Sequence, residues 1–379
     1  MSQKNKKIKI VFTGGGSGGH IFPILAVMRE IKKILPNQSN HIFYYIGPKD
    51  HFSSMALSGE GIKIKKTLGG KIRRYFSLWN FVDIFFRIPI SLVQSFFYIF
   101  IISPDLVFSK GGYGSMPITF WSWIFQIPIL LHESDIDMGL ANRITSHWAT
   151  EIFTSFPQTR FEKQRIFTGN PIRTSLLEGN KENSRKNLGL FSNQPAILIL
   201  GGSQGAQKIN DVVSVILEDL LEDFEIIHHC GQKDFKTIKK NIPIIIKNPD
   251  LRKRYHLYPI LREWELKHAY HAADLVIGRA GAGVIFEIAA LGKASILIPL
   301  KFSARDHQIK NAYDFAKDRR SVVIEENNFF PHFFLKTIQH LFSSPIELEN
   351  MRQQAKDFSR PKAAFVIANY IINYLSFKK

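Results

Sequence analysis

The sequence predicts an α/β protein built from two doubly wound, parallel-sheet (Rossmann-like) domains facing a cleft. Three observations carry that expectation. A glycine-rich turn from strand to helix occurs twice, at residues 13–20 (TGGGSGGH) and at residues 201–206 (GGSQGA). Short β-branched runs alternate with helical stretches in both halves, the pattern of βα units. A polar stretch with a Gly-Asn-Pro turn, residues 169–193, separates the halves.

In the first half, residues 8–12 read as a strand, 20–35 as a helix and 41–46 as a second strand. The short apolar runs 105–109 and 127–131, marked by Pro104 and Pro128, continue the series. In the second half the strands fall at 196–200, 225–229, 254–258, 274–277 and 294–299, and a helix-like segment closes the chain at 361–375. The expected division is 1–168 as an N-terminal acceptor- and membrane-binding domain and 169–193 as linker. A C-terminal nucleotide-sugar domain follows at 194–355, with 356–379 as a terminal helix packing back on the first domain.

Each glycine turn aims backbone N–H groups and a helix start at one spot, which suits a phosphate. Neither is followed by the Gly-Lys-Ser/Thr of a nucleotide-triphosphate loop, and neither has the acidic ribose residue of a dinucleotide fold. Downstream, Arg279 to Gly283 opens a further helix that can face the same diphosphate, and Glu287 in its early turns can accept two hydrogen bonds from ribose hydroxyls. His307, Gln308 and Asn311 lie past the strand at 294–299, on the side where open α/β sheets bind ligands. His20, at the end of the first glycine loop, is a candidate general base, as its ordinary titration suits that task. Glu133 and Asp135 are the other candidates. No His, Cys or Asp cluster shows metal-ligand spacing, so neither metal nor cofactor is expected.

The 379 residues carry 50 Lys and Arg against 32 Asp and Glu, a net +18 that calls for anionic partners. No zinc-finger spacing, RNP signature or basic repeat supports nucleic acid. The lone Cys230 excludes an intrachain disulfide and fits a reducing compartment, and no signal peptide is expected. Basic and aromatic residues interleave at 63–102, where Arg73, Arg74, Phe76, Trp79 and Phe85 suit contact with an anionic membrane surface. The apolar part, 88–102, reads first as a buried helix, with a lipid-exposed helix or a span as alternatives.

Seven strings occur in order: TGGGSGGH, GGYGSMP (111–117), HESDIDMGLANR (132–143), GNPIR (169–173), GGSQGA, RAGAGVIFEIAALG (279–292) and DHQIKNA (306–312). Across essentially the whole chain they resemble the MurG family of peptidoglycan glycosyltransferases, which have the GT-B fold. The resemblance implies transfer of N-acetylglucosamine from UDP-GlcNAc to lipid I, giving lipid II, by a metal-independent inverting enzyme peripheral to the cytoplasmic face of the membrane. It places Ser203 and Gln204 on the donor nucleotide, and Arg173 and Leu261 near the uridine. His307 and Gln308 then face the donor sugar, with Asp135, Arg279, Gly281, Ala282, Gly283 and Glu287 completing the donor site. Gly15, Gly16, Ser17, Gly18 and Gly19 would seat the acceptor diphosphate, and His20 matches the family histidine assigned to proton removal or acceptor contact. The chain departs from the family where His-Glu-Gln-Asn becomes His132-Glu133-Ser134-Asp135, and where a glutamine becomes His307. Other readings stay open: a relative with another sugar nucleotide or glycolipid acceptor, a UDP-GlcNAc 2-epimerase, or a basic membrane- or nucleic-acid-binding protein without catalysis.

Overall fold

The computed structural model describes residues 7–15, 17–35, 40–70, 78–159, 164–201, 206–301 and 303–377. The chain divides into two compact units, Met1–Arg173 with Pro361–Lys379, and Thr174–Arg360. The first holds strands β1 (Ile8–Thr13), β2 (His41–Pro48), β3 (Lys63–Thr67), β4 (Leu106–Ser109), β5 (Ile129–Glu133), β6 (Glu151–Thr154) and β7 (Ile166–Phe167). The second holds β8 (Ala196–Leu200), β9 (Glu225–His229), β10 (Tyr255–Tyr258), β11 (Leu275–Gly278), β12 (Ala294–Leu297) and β13 (Val322–Val323).

Each unit contains one sheet, ordered β3-β2-β1-β4-β5-β6-β7 and β10-β9-β8-β11-β12-β13. Neighbouring strands pair in parallel throughout, so both are doubly wound α/β sheets as expected. Parallel strands covered on both faces are apolar along their length, and β4, β5, β8, β9, β11 and β12 are buried at every position. Alternation then assigns faces. Ile10 and Phe12 of β1 enter a core shared with the helices Gly18–Ile34 and Ala363–Phe377, whereas Val11 joins Ile99, Ile102 and Ile118 on the opposite face.

In both sheets the order reverses beside the first strand, between β1 and β4 and between β8 and β11. There the crossover helices leave for opposite faces, and the strand ends open a crevice. Thr13 pairs with Ser109, and Leu200 with Gly278. The residues that follow these pairs are 14–20 with 110–117, and 201–206 with 279–283; they include four of the seven motifs read from the sequence.

Residues 169–193, expected as a connecting stretch, contain the 3-10 turn Thr174–Leu177 and the helix Lys181–Leu188. That helix is fixed to the second unit by a Ser184 Oγ···His268 Nδ1 bond of 3.0 Å and by the Lys181–Asp274 ion pair.

The expectation of a buried helix at 88–102 is overturned. Residues Trp79–Ile102 form one helix of 24 residues, long and apolar enough to cross a membrane by length and composition alone. A π-turn at Asp83–Arg87 joins its two α-helical parts. Its packed face is formed by Asp83, Ser91, Ser95, Ile99 and Ile102, while Trp79, Phe81, Phe85, Phe86, Phe97, Phe100 and Ile101 stand exposed. Small serines let the helix lie close on the sheet, and the aromatic bulk is turned outward. Trp121 Nε1 donates to Leu92 O at 2.8 Å, and Phe96 meets Trp121 edge-on with centroids 4.9 Å apart.

Candidate active site

In the first unit, β1 runs into a loop whose shape is set by close backbone approach. Tyr45 Oη donates to Gly14 O at 2.6 Å, and a Cβ on Gly15 would stand 2.7 Å from Pro48 Cδ. Ser17 then caps the helix Gly18–Ile34 through its carbonyl, and its side chain makes no capping bond. Gly18 and Gly19 form the first turn, where the N–H groups and the positive helix end favour an anion. Gly16 lies outside the described residues.

His20 sits on this first turn with Nδ1 3.2 Å from Lys110 O. A carbonyl only accepts, so Nδ1 carries the proton and Nε2 is the basic nitrogen. A Cβ on Gly112, which has φ of 86°, would lie 3.3 Å from Nε2, so this left-handed position keeps side chains off the ring.

Glu133 ends β5 and is buried. Its Oε1 accepts from Asp135 N at 3.0 Å; its Oε2 accepts from Gly139 N at 3.1 Å and from Asn142 Nδ2 at 2.9 Å. Burial, and then Asp135, push its carboxyl above the ordinary value. Both oxygens hold the 134–142 segment in place, so the arrangement suits Glu133 to shaping this loop. Asp135 stands partly exposed on that loop, its carbonyl accepting from Thr159 Oγ1 at 3.2 Å. Arg173, expected near the uridine, belongs to the first unit, where it is 3% exposed with its guanidinium 3.9 Å from the Phe22 ring centroid.

Sequence reasoning missed Lys110. It is buried beneath the glycine pair, 2.6 Å from His132 Nδ1 and 3.3 Å from Asn170 Oδ1. The available signal was its position between the short buried strand β4 and Gly111-Gly112, the start of a glycine motif.

In the second unit, Ser203 and Gln204 lie outside the described residues. The loop they belong to connects β8 to the helix Gln207–Asp223. After β11, Gly281 caps the helix Ala282–Ala290. Among the described residues outside the helix and its chain neighbours, no atom lies within 4 Å of where a Cβ on Gly281 or Gly283 would stand, while Ala282 packs inward. Glu287 is only 8% exposed, and its Oε2 accepts from Tyr270 Oη at 2.8 Å. That bond fixes one oxygen of a carboxylate at the edge of the crevice.

Arg279 donates to Ile298 O at 3.1 Å and pairs with Glu326 at 2.6 Å, tying the end of β12 to a neighbouring loop. Gln308 Oε1 accepts from Leu300 N at 3.0 Å, bracing the same strand end. His307 opens the helix His307–Ala316, and Asn311 within it is buried. Leu261, just past β10, is buried as well. The second unit thus brings Gly281, Gly283 and Glu287 to the end of β11, and His307 and Gln308 to the loop after β12.

The chain thus has two doubly wound sheets, one in each unit, with glycine-rich turns following the strands at each switch point. Residues 10–154 match the glycosyltransferase family 28 N-terminal domain and residues 196–366 match the family 28 C-terminal domain. The chain belongs to glycosyltransferase family 28. At the level of individual proteins, it is 35% identical over 354 residues to the UDP-N-acetylglucosamine--N-acetylmuramyl-(pentapeptide) pyrophosphoryl-undecaprenol N-acetylglucosamine transferase of Clostridium tetani, covering 92% of this chain and 94% of that one. The protein of the same name from Clostridium kluyveri is 36% identical over 367 residues, 96% of this chain and 99% of that one. The crystal structure of Acinetobacter baumannii MurG aligns with a TM-score of 0.72 at 24% identity, over 97% and 99% of the two chains. A UDP-GlcNAc 2-epimerase from Neisseria meningitidis bound to UDP-GlcNAc aligns at 0.67 with 14% identity, over 97% and 100%. These two likenesses show the shared fold alone.

Proposed function

We propose that this family 28 glycosyltransferase moves N-acetylglucosamine from UDP-GlcNAc to lipid I, forming lipid II for peptidoglycan. The observation that carries the reading is that the glycine motifs of both halves stand at the switch points of their sheets, in a chain whose relatives over nearly full length bear that name. The second unit holds the donor. The helix starts at Gln207 and Ala282 face the diphosphate, and Glu287 takes the ribose hydroxyls. Those dipoles and N–H groups stabilise the departing UDP, so transfer needs no metal. The first unit takes the acceptor, with its diphosphate against Gly15 to Gly19. His20 Nε2 removes the proton from the attacking hydroxyl, and attack opposite the leaving UDP inverts the anomeric centre. The deciding experiment is sugar transfer from UDP-GlcNAc to a lipid I analogue with EDTA present. Robust transfer supports acceptor, donor and metal independence together; failure with UDP still bound moves the acceptor to another lipid.

The enzyme docks peripherally on the anionic cytoplasmic leaflet through the exposed aromatic face of Trp79–Ile102. Arg73, Arg74 and Phe76 of the expected contact lie outside the described residues, but Trp79 is 57% exposed and Phe85 64%. Arg87, with its guanidinium 5.5 Å from the Trp79 ring centroid, lies at the same surface, where it pairs with the buried Asp83 at 3.2 Å. Because one long face of the helix is packed on the sheet, the helix lies along the bilayer surface. Phe85→Ser with Phe86→Ser is expected to weaken binding to anionic vesicles about 100-fold, at roughly 1.5 kcal/mol or more per buried ring. Transfer to a short-chain, water-soluble acceptor should persist. Vesicle binding unchanged by the double substitution would remove this face from the contact.

Asp135→Asn is expected to be tolerated, because the family amide both donates and accepts at this place whereas a carboxylate only accepts. A loss of transfer as large as that of Glu287→Ala would instead make the Asp135 carboxylate a working group.

A further inference from the structure

Proton handling on the acceptor side leaves one buried cation unassigned. The Lys110 ammonium contacts three acceptors: His132 Nδ1 at 2.6 Å, Asn170 Oδ1 at 3.3 Å, and Ser134 Oγ. Three N–H bonds therefore meet three partners in a site that is 1% exposed. The surrounding hydrogens agree with a charged lysine. His132 Nε2 lies 3.1 Å from Gly169 O, so it carries the ring proton and leaves Nδ1 to accept. Ser134 Oγ lies 3.3 Å from Asn170 Oδ1, to which its own proton is directed. At the other end of the residue, the Lys110 carbonyl receives His20 Nδ1–H. One residue thus joins the first glycine loop, the His132–Asp135 segment and the Gly-Asn-Pro turn.

We propose that Lys110 is a positioning residue for the transfer reaction: its ammonium pins the His132–Asp135 segment to Asn170 while its carbonyl fixes the His20 ring. This rests on the glycosyltransferase reading for its effect on rate, though not for the anchor itself. The titratable groups facing Lys110 are His132 on β5, Glu133 and Asp135 just beyond it, and His20 through the carbonyl. Burial lowers the lysine to about 7, against the pull of the Glu133 and Asp135 carboxylates. Desolvation, and then the Lys110 charge itself, hold His132 well below its ordinary value and therefore neutral.

The sign of the pH effect follows. Below about 7 the lysine is charged and donates to all three partners; above it one donor is lost and the anchor slackens. The unfolded chain keeps its lysine protonated to far higher pH, so this group adds to global stability as pH rises through the same range. Transfer and stability diverge, which a merely structural lysine would not produce.

The test measures transfer from neutral to mildly alkaline pH, UDP affinity, and hydrogen exchange at the Asp135 and Gly139 amides after correction for intrinsic rate. The proteins are wild type, Lys110→Met and Ser134→Ala. Wild type is expected to lose kcat toward alkaline pH while its melting temperature does not fall. Lys110→Met is expected to lose about 100-fold in kcat, as for a small misplacement of a reacting group. It should lose the alkaline limb, keep UDP affinity, and exchange the two amides faster. Folded Lys110→Met with wild-type kcat or wild-type exchange overturns the proposal. If that variant does not fold, Ser134→Ala decides: the limb should move to lower pH, because the charged lysine has one acceptor fewer, and an unmoved limb overturns the proposal. If wild type transfers no sugar at all, the functional reading fails. The anchor is then judged by exchange alone, expected to be faster in Ser134→Ala and refuted if equal.

Discussion

Glu287→Ala is expected to lower kcat/KM for UDP-GlcNAc by about 100-fold or more, because two charge-assisted hydrogen bonds of roughly 1.5–3 kcal/mol each are lost. The position of the carboxylate suits that role. Its helix, Ala282–Ala290, begins at the end of β11, and Tyr270 Oη fixes Oε2 from the side at 2.8 Å. Removing the side chain also leaves the buried Tyr270 hydroxyl without this acceptor, a stability cost of about 1–3 kcal/mol. Folding must therefore be separated from binding. UDP and its 2′,3′-dideoxy analogue do so through a double-mutant cycle. Wild type should prefer UDP strongly, and Glu287→Ala should bind both nucleotides alike. If the variant weakens both equally and keeps the preference, the carboxylate does not hold the ribose. Tyr270→Phe is the graded case: it leaves the carboxylate charged but frees its rotamer, and should fall between the two.

The second unit was the more legible part of the sequence, and the reason is physical. Strands β8, β11 and β12 are buried at every position and read as short, largely apolar runs, and the bounds of β8 to β12 differ from the expected ones by two residues at most. β3 escaped notice because Lys63, Lys65 and Lys66 make it look like part of a basic surface. It is an edge strand, where lysines discourage pairing with other chains. The helix Ile88–Ile102 is apolar nearly all round, so periodicity could not say which side faces inward; the serines, not the phenylalanines, mark the packed face. Glu133 and Lys110 illustrate the limit for site residues. Composition near a glycine motif can nominate a carboxylate as a base, but only coordinates show that both its oxygens are already spent on its own loop. A lysine is assumed to be solvated until three acceptors are found around it.

The His20→Ala variant is expected to lower kcat by about 100- to 10,000-fold, the usual range for removing a general base, with KM for the donor unchanged. Orientation is the argument. With Nδ1–H committed to the Lys110 carbonyl, the tautomer is fixed and the basic Nε2 is carried at the edge beside Gly112. The loss should therefore fall on kcat, because the base acts on the hydroxyl only as it attacks. If His20 served only to contact the acceptor, the loss would instead appear in the acceptor KM, with kcat and its pH dependence preserved. The pH profile also separates the two residues that meet at the Lys110 carbonyl. His20→Ala lowers the plateau and leaves the alkaline limb, whereas Lys110→Met removes that limb as well as lowering the plateau. A His20→Ala variant that also lost the alkaline limb would mean that the carbonyl contact couples the two residues, and the His20 ring could then no longer be treated as an independent base.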